Sequence, residues 1–270
     1  MPTTCRALVL AVAAALLCAT GPARLAAQQP VFLYTVTPVD SPGGPRAWVS
    51  VGLGYGERLF EGLGPERLEQ RLSAQLALGS RFTLVAAGGV ASQDPSVTAR
   101  ASGAVELLAN LVPGGSRAFA ALGLGGMLDY GGSAAALGRL AAGLRSPQWE
   151  LAGNVRLEHS FAPARARDAL DVITSVGVSR RLGPPLRVGL EAVGEDLEGL
   201  FDANEAEGGA KLMLGPTVVI APTSHWQLFL GVGPVVRLSQ SMVAGTGSEA
   251  PRDLSTRSGY VIRTAVGYQW

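Results

Sequence analysis

The stretch Trp149-Glu150-Leu151-Ala152-Gly153-Asn154-Val155-Arg156-Leu157-Glu158 decides the fold. Trp149, Leu151, Gly153, Val155 and Leu157 share one face, and Glu150, Ala152, Asn154, Arg156 and Glu158 share the other. Side chains of a strand alternate between faces, whereas those of a helix recur every 3.6 residues. Three charges and an asparagine on alternate positions therefore leave an apolar stripe on a strand and destroy it on a helix. This segment is a strand with one wet side and one greasy side.

The same alternation ends the chain. Tyr260, Ile262, Thr264, Val266, Tyr268 and Trp270 fall on one face, and Val261, Arg263, Ala265, Gly267 and Gln269 on the other. The segment resembles the C-terminal assembly signal of bacterial outer-membrane β-barrel proteins, a final alternating strand closed by an aromatic residue. That resemblance implies Tyr260, Ile262, Val266, Tyr268 and Trp270 as the residues read by the barrel-assembly machinery. It also implies outer-membrane lipid as the surroundings of the apolar face.

Working outward, the rule sets Leu72, Ala74, Leu76 and Leu78 against Arg71, Ser73, Gln75 and Ala77. From 97 to 111 it opposes Val97, Ala99, Ala101, Val105, Leu107 and Leu111 to Thr98, Arg100, Ser102, Glu106 and Asn110. Residues 210 to 221 place Leu212, Leu214, Val218 and Ile220 opposite Lys211, Met213, Thr217 and Val219, and residues 226 to 236 place Trp226, Leu228, Leu230, Val232 and Val236 opposite Gln227, Phe229 and Gly231, with Arg237 beyond on the second face. Two stretches, 118 to 130 and 135 to 145, are so rich in Ala and Gly that their ends stay open.

The count is about twelve segments of roughly 10 residues, the length a tilted strand needs to cross an outer membrane. Every second connection is compact: Gly79-Ser80-Arg81, Pro113 to Ser116, Ser146-Pro147-Gln148, Gly183-Pro184-Pro185 and Pro222-Thr223-Ser224. Between them lie longer, charged connections: Glu57 to Glu66, His159 to Asp168, Glu195 to Gly208 and Gln240 to Arg257. Short turns at one end and long loops at the other mark an up-and-down barrel, and closure removes sheet edges that hydrocarbon cannot solvate. The expected fold is thus an all-β, antiparallel, up-and-down transmembrane β-barrel over residues 46 to 270, with about twelve strands and ten to fourteen admissible. Tyr55, Tyr130, Trp149, Trp226, Tyr268 and Trp270 stand near segment ends, where interfacial aromatic girdles belong. Trp48 has the inward parity instead.

The chain begins with Arg6, an apolar run from Ala7 to Ala19, the breakers Gly21 and Pro22, and then Leu25-Ala26-Ala27. This is the layout of a signal peptide over residues 1 to 27, and it directs export. Both cysteines, Cys5 and Cys18, fall inside it, so no disulfide or thiolate metal site is expected afterwards. Losing Arg6 and Arg24 leaves 20 basic against 21 acidic residues, which gives no electrostatic reason to bind nucleic acid. Residues 28 to 45, with Pro30, Pro38, Pro42 and Pro45, read as a periplasmic lead-in or an inward plug, with Val31 to Val36 as a competing extra strand. The whole chain is 47% hydrophobic and 16% charged. A water-soluble domain carries nearer 25% charge, so another solvent is expected to cover part of the surface.

The inward register collects Arg71, Arg100, Arg139, Arg156, Arg187, Lys211, Arg237 and Arg263 with Glu106, Asp129, Glu150, Glu158, Asp171 and Glu191. Such charges either pair across the lumen as braces or line a narrow water-filled pore with weak anion preference for small solutes. A structural surface protein and a soluble secreted β-sandwich are the non-conducting alternatives.

The enzyme alternative rests on His159 and Ser160, with Glu158 beside them and Asp168 and Asp171 beyond. In placement these resemble the outer-membrane lipid A 3-O-deacylases, which implies a lipid-modifying hydrolase. The motif departs from theirs, because Ser160 directly follows His159 and Phe161 stands where an asparagine would serve. Adjacent strand residues also point to opposite faces, so the expectation is no catalytic residue. His225 reads as an interfacial turn residue. No metal or cofactor is expected, since two distant histidines make no ligand cluster, and the acidic run Glu195, Asp196, Glu198, Asp202, Glu205 and Glu207 reads as a solvated loop.

Overall fold

The computed structural model describes residues 31–39, 46–56, 67–92, 99–112, 116–130, 132–161, 170–195, 197, 210–237 and 258–270. The expected leader, Asp168 and the acidic residues beyond Glu195 lie outside the described residues. Twelve strands follow in chain order: β1 (Ala47–Gly56), β2 (Arg67–Leu78), β3 (Phe82–Ser92), β4 (Arg100–Asn110), β5 (Ala118–Leu128), β6 (Ala134–Arg145), β7 (Trp149–Ser160), β8 (Leu170–Arg181), β9 (Leu186–Glu195), β10 (Lys211–Ile220), β11 (Trp226–Arg237) and β12 (Gly259–Gln269). Each pairs antiparallel with its neighbours, and β1 closes on β12 from Trp48 opposite Gln269 to Gly56 opposite Val261. Every strand therefore has two partners, and no edge faces the surroundings.

Burial is inverted relative to a water-soluble protein. Leu124 is 77% exposed and Val51 62%, while Glu158 and Glu191 are fully buried. Carboxylates are almost never buried so completely in soluble domains, and long apolar side chains seldom cover a whole circumference. A greasy exterior around a charged interior is the arrangement a bilayer selects. The two-sheet sandwich is excluded, because one sheet closes on itself and its apolar faces point out rather than meet.

The alternation read in β7 and β12 holds residue for residue, with Glu150, Ala152, Asn154, Glu158, Val261, Arg263, Gly267 and Gln269 all buried. The Ala/Gly-rich stretches resolve as β5 and β6, and the segment expected over 97 to 111 holds β4, with Val97 and Thr98 outside the described residues. Turns at Gly79-Ser80-Arg81 and Ser146-Pro147-Gln148 lie at one end of the barrel, together with the start of β1 and the end of β12. Three expectations are corrected. Val31 to Val36 forms no ladder and is not an extra strand. Tyr130 is no girdle residue: it is buried, because the turn after β5, tied by Ser133 N donating to Asp129 Oδ1 at 2.7 Å, folds it inward. Asp129 serves that turn rather than the strand face.

Candidate functional site

The interior has two unlike sides. Ile173, Val193, Met213, Val235 and Val261, one from each of β8 to β12, form a buried apolar belt against which Tyr34 packs. The charged side chains concentrate on β2, β4, β6 and β7. On that side Arg139 clasps Glu106 in a two-pronged pair, Nε to Oε2 at 2.7 Å and Nη2 to Oε1 at 2.7 Å. Its Nη1 donates to Asn154 Oδ1 at 3.0 Å. Arg156 Nη2 meets Glu158 Oε1 at 2.9 Å. Beside the short turns, Glu150 lies between Arg145 at 3.6 Å and Arg187 at 3.3 Å. Towards the long loops, Glu69 receives the Tyr130 hydroxyl at 2.6 Å and lies 3.7 Å from Arg71 and 3.6 Å from Arg263. Lys211 and Glu195 stand 3.7 Å apart.

The residues expected to face inward are thus brought together, with qualifications. Arg100 starts β4 at the long-loop mouth and is exposed. Arg237 ends β11 opposite Lys211, and its side chain lies outside the described residues. Asp171 faces Glu158 across β7 and β8. Glu195 is corrected from loop to lumen: it is the last residue of β9 and is buried. Sequence reading also passed over Glu69 and Arg145, both buried and inward. Continuing the alternation backwards from Arg71 and forwards from Arg139 reaches them.

Residues 31–39 occupy the lumen without joining the wall. Glu191 accepts from the backbone N–H groups of Leu33 (2.8 Å), Tyr34 (3.0 Å) and Thr35 (2.7 Å) and from the Thr35 hydroxyl (2.8 Å). Asn154 bonds Val36 both ways, Val36 N to Oδ1 at 2.7 Å and Nδ2 to Val36 O at 2.9 Å. Near the short turns, Val39 N donates to Thr83 Oγ1 at 3.1 Å and Arg145 Nη2 to Pro38 O at 3.1 Å. Two wall glycines make room, since a Cβ at Gly177 would overlap the Phe32 ring and one at Gly231 would overlap Leu33. The Arg263 guanidinium sits 4.5 Å from the centre of the Tyr34 ring, within cation–π range.

Space remains between the lumen segment and the wall in two cavities. One of about 140 Å³ reaches from Trp48 and Arg71 across to Glu106, Arg139 and Arg156. The other, of about 90 Å³, follows the inner face of β1 at Ser50, Gly52 and Gly54, and Trp48, Arg71 and Arg263 line both. Together their linings carry four arginines, Arg71, Arg139, Arg156 and Arg263, against two carboxylates, Glu69 and Glu106.

His159 and Ser160 do not assemble. His159 is on the outer face, edge-on to Phe161 at 5.5 Å, and Ser160 is buried inside. Among the described residues no group of His, Cys, Asp and Glu converges as a metal-ligand set. His225 stays at its turn, its Nδ1 2.9 Å from Gln269 O and its ring stacked on Tyr268.

A closed twelve-stranded barrel with an apolar exterior and a charged lumen defines the chain as a protein of the outer-membrane β-barrel class. Among solved structures it is similar to the NanC porin, with a TM-score of 0.59 and 9% identity over 82% of this chain and 100% of that one. It is also similar to the KdgM porin, at a TM-score of 0.53 and 10% identity over 83% and 99% of the two chains, and to the KdgM porin in complex with disordered oligogalacturonate, at 0.51 and 11%. At such identities the likeness is one of fold. No protein-family model and no curated protein matches the sequence.

Proposed function

We propose that the chain is a non-enzymatic outer-membrane barrel that passes small solutes through a narrow, partly plugged lumen with a weak preference for anions. The observation that carries this reading is the lining of the two lumen cavities, four arginines against two glutamates. Positive charge fixed beside a low-dielectric wall raises the local anion concentration. The cavities have room for water, which needs only about 10–15 Å³ of such space. The similarity of fold to two porins supports the same reading. On this reading residues 1–27 direct export and residues 28–45 supply the plug, with residues 46–270 as the barrel. The assembly machinery reads β12, where Tyr260, Ile262, Val266, Tyr268 and Trp270 form one exposed row.

A planar-bilayer recording of the refolded protein tests it. Discrete conductance steps are expected, and silence at every salt concentration removes the pore. Arg71, whose side chain keeps 29% of its exposure, is the arginine to reverse. Arg71→Glu should move the reversal potential towards cations, and an unmoved potential removes the anion preference. The lumen's occupation by residues 31–39 favours a second reading, a structural surface barrel that conducts nothing, and the same recording decides between them.

A further inference from the structure

We infer that residues 31–39 are a displaceable gate, and that Glu191 with Asn154 is the latch that receives its backbone. The inference rests on the pore reading, but its central observation is independent of conduction.

A segment built into the wall would share ladder hydrogen bonds with a strand. This one shares none among the described residues, and the backbone groups of Leu33, Tyr34, Thr35, Val36, Pro38 and Val39 bond to wall side chains: Glu191, Asn154, Thr83 or Arg145. The β1–β12 ladder closes the barrel without it. Withdrawal therefore breaks no strand pairing, and the polar groups it uncovers face a lumen that water can fill. Unpaired backbone groups inside a barrel must be satisfied one way or another, and here a single carboxylate takes three consecutive N–H groups and a hydroxyl.

The route is also defined. Phe32 packs on Gly177 and in a cluster with Phe119 and Ala152, all in the halves of their strands nearest the short turns. Tyr34 reaches the apolar belt beyond the middle, and Pro38 and Val39 return to Arg145 and Thr83 beside the short turns. The segment thus dips in and comes back at the same end, so it withdraws towards that end without threading the barrel. When it leaves, Gly177 and Gly231 leave open the space that Phe32 and Leu33 now fill, and the two cavities widen towards β8 and β11.

The test uses the full chain with Cys5→Ser and Cys18→Ser, so that Phe32→Cys is the lone thiol. Phe32 is 5% exposed, and a polar thiol reagent should modify the cysteine slowly. Adding Glu191→Ala should accelerate labelling at least tenfold, with Asn154→Ala as a second variant should the first fail to fold, folding being read from heat-modifiable gel mobility. In bilayers the same latch variants should raise conductance or open probability several-fold. Equal labelling rates in folded barrels overturn the latch whether or not the barrel conducts. Faster labelling with no current in any variant upholds the latch and overturns the pore.

Discussion

At the scale of the residue, the lumen shows how differently two buried carboxylates are held. Glu191 is solvated by the backbone of a segment that can leave, whereas Glu106 is held by Arg139 from the wall itself. Each partner of the Glu106–Arg139 pair keeps about 5% of its side-chain exposure. Removing one member strands the other charge, which costs about 3–5 kcal/mol, while replacing both by apolar residues of similar size is close to neutral. Glu106→Gln and Arg139→Met should each lower the urea midpoint of the refolded barrel strongly, and the double Glu106→Met, Arg139→Met variant should recover most of the loss. If the double variant is as unstable as the sum of the singles, the pair is not a coupled brace. The opposite behaviour is expected at Gly177, where no charge is involved. Gly177→Leu collides with Phe32, so it should expel the segment and leave the closed wall intact.

At the scale of the element, the decisive property of each strand is which side meets lipid. Leu124 stands mid-way along β5 and is the most exposed of the large apolar side chains described. On a water-facing surface Leu124→Arg would change stability by about 0.5 kcal/mol or less. At the middle of a bilayer the same change costs about 2–4 kcal/mol. Folding titrations in lipid vesicles measure that difference directly, and a neutral result would mean that the outer face of β5 does not touch hydrocarbon. The same alternation explains what was legible in the sequence. In β7 and β12, charges and long apolar residues trade places at every step, so parity names each face. In β5 and β6, Ala and Gly fit either face, and no parity can place their ends. Glu69 was missed because the start of β2 merges with the charged stretch 57–66, and Tyr130 because parity puts it with exposed Leu128 until the Asp129–Ser133 turn reverses it. For the lumen segment the prolines pointed to a lead-in or an inward plug but not to its contacts: its bonds to Glu191, Asn154 and Thr83 join backbone to side chain and impose no period on residues 31–39.

At the scale of the whole molecule, the charge balance limits what selectivity the barrel has. Including Glu69, Glu195 and Arg145 narrows the positive excess counted from the sequence, so the lumen is close to neutral as a whole. The preference must then come from distribution, with arginines lining the two cavities and Glu158 fully buried behind Arg156. A preference of that origin acts through the field and is screened by salt. The Debye length is about 10 Å at 0.1 M and about 3 Å at 1 M. Anion preference should therefore be measurable in dilute chloride and largely vanish at 1 M, with reversal potentials under a fixed tenfold gradient as the readout. Direct coordination of the ion by two or more guanidinium groups would behave otherwise, because desolvated contacts are screened far less than a diffuse field. Selectivity that survives at 1 M would accordingly reject the field account and require the solute to pause against Arg71 and Arg263 themselves.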